Sequence, residues 1–182
     1  MLNDASGFSK IYLAVGYTDL RKGIDGLQEH RAEDFITKIK ALGYKVKLDT
    51  NGTNPEVVKD LLVSGLVDYV AMDVKNCKES YGKTVGFDGD YDLAPIQESI
   101  DYLMAGHVDF EFRTTVSKTF HTENDIVELA KWIAGKEKFY LQQFKDSGNL
   151  IGEGIEAYSE DEMRALLDKI LPFVPNAQLR GI

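Results

Sequence analysis

The chain has 182 residues, 43% of them hydrophobic, which is enough for one full core and too few for two comfortable ones, so a single domain is expected. Its 21 Lys+Arg stand against 30 Asp+Glu, and a net charge of −9 repels a phosphate backbone, which excludes nucleic acid as a first guess unless the basic residues gather on one face. A single cysteine excludes an internal disulfide and a cysteine-based zinc site, and supplies one thiolate where an iron–sulfur cluster takes three or four.

The opening "MLNDASGFSKIYLAVG" has neither a basic leader region nor a long apolar run, and no later stretch approaches a membrane span, so a soluble, cytoplasmic protein is expected. "KIYLAVG" reads as a strand. "TDLRKGIDGLQEHRAEDF" leads toward a helix, but Gly23 and Gly26 would each cost about 1 kcal/mol in a helix interior, so a loop or broken helix is expected there. From residue 30 onward short β-rich runs alternate with amphipathic helical stretches at the spacing of crossover units, which implies a parallel sheet.

"HRAEDFITKIKALG" spaces Phe35, Ile36, Ile39 and Leu42 along one helical stripe and stops at Gly43, ahead of the strand "YKVKLD". In "TNPEVVKDLLVSG" Asn54 is an N-cap, Pro55 takes the first helical position and Glu56 lies at the positive helix end. The strand "DYVAMDVK" is followed by "KNCKESYGKTVGFDGDYD", polar and glycine-punctuated, long enough to be a functional loop. A helix from about Ala94 to Ala105 leads to the strand "VDFEFRTTV". "HTENDIVELAKWIAG" opens on a capping box, Thr122 with Asp125, before the strand "KFYLQQF". "DSGNLIGEGIEAY" reads as irregular. Ser159 and Glu162 form a second capping box, and "NAQLRGI" closes as a short strand.

Alternation along each strand separates two faces. Val46 and Leu48 oppose Lys47 and Asp49. Val70, Met72 and Val74 oppose Tyr69, Ala71, Asp73 and Lys75. Phe110 and Phe112 oppose Glu111, Arg113 and Thr115, and Phe139 and Leu141 oppose Tyr140 and Gln142. Asp49, Asp73, Lys75, Arg113 and Gln142 fall near the carboxyl ends of their strands, where parallel α/β sheets and barrels bind ligands. Charges of both signs there can pair with each other or hold a zwitterion. A two-layer sheet also has one solvated face that carries charge without any function, and the alternation alone leaves both readings standing.

Other candidates carry less. His30, His107 and His121 sit on different elements without the spacing of a metal pair. There is no nucleophile elbow and no P-loop. Trp132, at helical spacing from Leu129 and Ile133, reads as core, and "DLRKG" as a solvated turn.

Residues from about 30 to 181 resemble the C-terminal two-thirds of radical S-adenosylmethionine (SAM) activating enzymes, in particular activating proteins of the anaerobic ribonucleoside-triphosphate reductase. The carrying stretches are "KIKALGYKVKLDTNGTNPEVVKDLL", "GLVDYVAMDVK", "DFEFRTTV", "FYLQQF" and "LRG", in family order. The resemblance implies an α/β fold, a parallel sheet curving as a partial (βα) barrel, with SAM inside and a [4Fe–4S] cluster that cleaves it to place a radical on a glycine of the partner reductase. It implies that Asp49, Thr50 and Asn51 of "DTNG", with Asp73 and Lys75, border the methionine end of SAM. Asp49 and Asp73 would hold a monovalent cation there, and Arg113 and Gln142 would approach the ribose and adenine. The family's Cys-x-x-x-Cys-x-x-Cys and Gly-Gly-Glu-Pro motifs are absent, and Cys77 lies on the wrong loop to replace them, which makes it an incidental loop thiol or a packing thiol. The resemblance therefore implies a chain without radical chemistry, with weak SAM binding at most.

Residues 1 to 27 resemble the start of accessory proteins of bacterial insertion sequences. The two resemblances imply a chimera, with a graft over 1–29 and a truncated barrel over 30–182 whose first strand is missing. "KIYLAVG" would then occupy the place of the second strand and leave an open edge prone to pairing with another chain. Two other functions remain beside the activase: a non-catalytic module that docks on the reductase, and a transposition accessory protein.

Overall fold

The computed structural model describes residues 10–15, 29–135, 137–145 and 154–182. In chain order the elements are β1 (Lys10–Val15), α1 (Glu29–Ala41), β2 (Lys45–Thr50), α2 (Pro55–Val63), β3 (Tyr69–Asp73), α3 (Tyr81–Thr84), α4 (Ala94–Met104), β4 (Asp109–Val116), α5 (Glu123–Trp132), β5 (Lys138–Gln143), α6 (Glu160–Ile170) and β6 (Ala177–Arg180). Strand order follows chain order, and the sheet has β1 and β6 as its ends. The α/β, parallel architecture expected from the alternating pattern is the one observed. The "KIYLAVG" strand is present as β1. The "DLRKG" segment and most of residues 1–29 lie outside the described residues.

Two compact units divide the chain: one runs to Met72 and includes Pro95–Phe110, and the other comprises Asp73–Ala94 and Glu111–Ile182. In the first, β1 runs parallel to β2 from Lys10 beside Lys45 to Val15 beside Thr50, and β2 runs parallel to β3 from Lys47 beside Tyr69 to Thr50 beside Met72. Parallel neighbours need a crossover, which α2 supplies between β2 and β3. Its start is built as the sequence indicates: the Asn54 side chain accepts from the Val57 amide and Pro55 follows. Val46, Leu48, Val70 and Met72 are buried on one face, with Val58, Leu61, Ile96, Ile100 and Leu103 from the helices. Each such side chain contributes about 2 kcal/mol relative to exposure.

Helix α1 departs from the expected stripe. Ile36 and Ile39 are buried, but Phe35 is 40% exposed and Leu42, just beyond the helix, 70% exposed. A 100° step per residue cannot bring 35, 36 and 42 equally inward, and the adjacent apolar pair made the stripe look wider than it is. At the start of β3, Asp68 takes Lys40 Nζ at 2.7 Å, Lys45 Nζ at 3.0 Å and the Val46 amide at 2.8 Å. Burial opposes its ionisation, yet these partners prevail and hold the carboxyl down at about 2.

In the second unit, β4 runs parallel to β5 from Glu111 beside Lys138 to Val116 beside Gln143, and β5 to β6 from Phe139 beside Ala177 to Gln142 beside Arg180. Both capping boxes form, Thr122 with Asp125 and Ser159 with Glu162. Phe112, Val116, Phe139 and Leu141 are buried with Ile126, Leu129, Met163 and Ile170. Trp132 is not core as expected. It is half-buried, its ring edge-on to the buried Tyr81 at 6.1 Å with the Lys78 ammonium 5.1 Å over its face. The loop after Lys75 contains the short helix α3, which no periodicity announces because four residues make barely one turn.

Candidate functional site

The "DTNG" turn closes β2 in the first unit. Thr50 is buried, and its hydroxyl accepts from the Gly52 amide at 3.1 Å. Asn51 accepts from the Thr53 amide at 3.1 Å and from the Thr53 hydroxyl at 2.8 Å. Gly52 has φ +74°, and a β-carbon there would lie 2.1 Å from Met72 Cε, while Ser99 Oγ on α4 donates to the Gly52 carbonyl at 2.8 Å. Only glycine fits both the backbone and the space. Asp49, at the head of this turn, is partly buried with Oδ1 3.9 Å from Lys47 Nζ.

The other cluster lies at the end of β3 and in the middle of β4, in the second unit. Arg113 grips Asp73 with two hydrogen bonds, Nε to Oδ1 at 2.8 Å and Nη2 to Oδ2 at 3.2 Å, and Lys75 Nζ stands 3.6 Å from Oδ2. The Arg113 and Asp73 side chains are 18% and 24% exposed, so this is not a face in bulk water, whereas Lys75 is 45% exposed. Tyr140 lies beside Arg113 in the β4–β5 register, and Gln142 beside Thr115, two pairs further along. Beside them Glu111, also buried, takes the Arg180 guanidinium at 3.1 Å, and Arg180 stacks on the Tyr140 ring at 3.7 Å. Asp73, Lys75 and Arg113 are thus brought together, Gln142 lies on the neighbouring strand, and Asp49, Thr50 and Asn51 form their own turn.

Cys77 is buried, its thiol donating to Asp125 Oδ1 at 3.4 Å, the oxygen that also takes the Ser80 hydroxyl at 2.8 Å. Burial pushes the thiol up, and the Asp125 carboxylate adds to that. The sequence offered no sign of this contact, because the partners are 48 residues apart. It equally hid His121, a lone histidine whose buried ring meets the Lys75 carbonyl at 2.8 Å.

No family model matches the chain. The fold is shared with a domain of a pyruvate-formate lyase-activating enzyme from Bacteroides vulgatus, at TM-score 0.66 and 14% identity over 92% of this chain and 98% of that one. It is shared more distantly with the HMG-CoA lyase of Brucella melitensis, at TM-score 0.54 and 14% identity, over 83% of this chain and 52% of that one. These likenesses show an α/β fold with a parallel sheet. A Methanocaldococcus jannaschii protein, named provisionally as a glycyl-radical enzyme activating enzyme, is 32% identical over 160 residues, 86% of this chain and 67% of that protein. The chain belongs to the family of glycyl-radical enzyme activating enzymes, which are radical SAM proteins.

That family implies SAM and a [4Fe–4S] cluster. The residues present do not fit the cluster: the sequence has one cysteine, its thiol is buried against a carboxylate, and among the described residues no three His, Cys, Asp or Glu side chains gather to hold a metal ion. They do fit the amino-acid end of SAM in charge type, since Asp73 and Lys75 set both signs 3.6 Å apart. Among the described residues no helix is long and apolar enough to cross a membrane.

Proposed function

We propose that a polypeptide of this sequence acts as a binding member of its family, engaging the anaerobic ribonucleoside-triphosphate reductase without generating a radical itself. The observation that carries this reading is the mismatch within one unit: a polar cluster suited to the family's cofactor, Asp73, Lys75 and Arg113, stands near a single thiol committed to Asp125. Lys75 would hold the SAM carboxylate and Asp73 the amine. Arg113 and Gln142 would serve the ribose and adenine side. SAM supplies a sulfonium that a reduced cluster cleaves, and one thiolate leaves the chain without that reductant. Binding of SAM is therefore weak, because Asp73 is already engaged by Arg113 and no cluster iron adds its own grip on the amino-acid end.

Anaerobic reconstitution with iron and sulfide, followed by SAM turnover and capture of the reductase, tests this directly. The expected result is no broad absorbance near 400 nm, no SAM cleavage and retention of the reductase. A reconstituted cluster with cleavage would overturn the non-catalytic reading, and loss of reductase binding would overturn the docking role.

A further inference from the structure

Bonding between β3 and β4 continues past the last residue of β3. The Val74 amide donates to the Arg113 carbonyl at 3.0 Å, and the Val74 carbonyl accepts the Thr114 hydroxyl at 2.7 Å. One residue later a side chain takes over: the Lys75 carbonyl is met by His121 Nε2 at 2.8 Å. The other ring nitrogen, Nδ1, accepts the Ser117 amide at 3.3 Å. An amide only donates, so Nδ1 carries no proton and Nε2–H is the donor to Lys75, which makes the ring uncharged. Burial keeps the ring's proton affinity below its ordinary value, although its two backbone partners and Asp125 pull the other way. Around it, Asp125 is held by Thr122, Ser80 and Cys77, Lys118 is paired with Glu162 at 2.6 Å, and the Tyr158 hydroxyl donates to the His121 carbonyl at 2.6 Å.

We propose that His121 is the positioning residue of the Asp73, Lys75 and Arg113 cluster, its uncharged ring tying the exit of β3 to the exit of β4 and so aiming Lys75 along the face that carries Arg113. The next residue is fixed as well: Asn76 Nδ2 donates to Thr84 Oγ1 at 2.8 Å and to the Phe120 carbonyl at 2.9 Å. The Lys75 carbonyl and the residue after it are thus both held while the Lys75 side chain stays accessible. A second proton on the ring sets N–H against N–H at Ser117 and breaks the tie at its β4 end, while Nε2–H still donates to the Lys75 carbonyl, so Lys75 loses its anchor to β4. The clamp stands on geometry; that the aimed lysine serves SAM rests on the function proposed above.

Long-range proton–nitrogen spectra of the full chain between pH 5 and 8 test the clamp without ligand. The expected result is an Nε2–H tautomer, a ring titrating below the ordinary histidine range, and Arg113 Nε and Lys75 side-chain resonances that shift with the same midpoint. His121→Gln, whose amide offers a donor and an acceptor without titrating, should keep the wild-type resonances at pH 8 and lose the pH response. His121→Leu should displace them at every pH. Arg113 and Lys75 resonances that ignore the ring's titration in the wild-type chain overturn the proposal, as does a Gln variant indistinguishable from Leu. Equilibrium dialysis of SAM then reads the use of the clamp: affinity should fall about fivefold on acidification in wild type, the worth of one hydrogen bond, and stay flat in His121→Gln. Absence of SAM binding at any pH, with the spectra as expected, sinks the cofactor reading and leaves the clamp standing.

Discussion

The turn after β2 and the cluster after β3 occupy equivalent places, each at the carboxyl end of a strand, yet they are held by different physics. The Asp49–Gly52 turn is fixed by shape: a glycine with φ +74° pressed on Met72 and hydrogen-bonded by Ser99. The Asp73, Lys75 and Arg113 cluster is fixed by charge and by a tautomer. Shape holds under any salt or pH that leaves the core intact, whereas charge answers to both, so within one fold a rigid end and a tunable end coexist.

The largest effect should come from filling the rigid end. Gly52→Ala places a β-carbon on Met72 and an L-residue in left-handed backbone, and we expect a loss of about 3 kcal/mol in urea unfolding. Adding Met72→Ala to that variant should recover less than it costs elsewhere, since the backbone strain stays and a cavity is left. Equal stability of Gly52→Ala and wild type would break the comparison. At the tunable end, Asp73→Asn leaves the Arg113 guanidinium partly buried without its carboxylate and should cost about 2 kcal/mol. The Asp73→Asn, Arg113→Gln double variant should lose less than the two single losses combined, and a double-mutant cycle with no coupling would remove charge as the organising term.

Acid sharpens the contrast further. Asp68 has a folded value of about 2, depressed below its unfolded value, so its stabilisation is present above about pH 4 and is lost as pH falls toward 2. Asp68→Asn should flatten that acid limb by about 2 kcal/mol while leaving the Gly52 turn's response unchanged. His121 acts higher: its depressed value means stability present above about 6.5 and fading as the pH drops below it. The smallest effect belongs to the helix starts, where Thr122→Ala should cost about 1 kcal/mol in thermal unfolding.

Much of this was legible in residue order, and the reasons differ by element. The strand faces could be read because a period of two is unambiguous, and Leu48, Met72, Phe112 and Leu141 all point inward as that period requires. Both capping boxes could be read because their partners are three residues apart. The α1 stripe could not be resolved, since Phe35 and Ile36 are adjacent and both apolar. The ion pair of Asp73 with Arg113 was one of two open readings, and only the contact between the two folded side chains decides it. His121 was invisible as a clamp because Lys75 is brought to it by topology across 46 residues, and both Lys75 and Ser117 meet the ring with backbone atoms that residue identity does not mark.

The pairing of Glu111 with Arg180 spans 69 residues of chain. During synthesis the β4 acid emerges long before its guanidinium does, and a nascent chain stopped short of Arg180 must leave that carboxylate in water or bury it without this counter-charge. Completion of the second unit is thereby tied to the arrival of β6, because this charge pair closes only once both strands have been made.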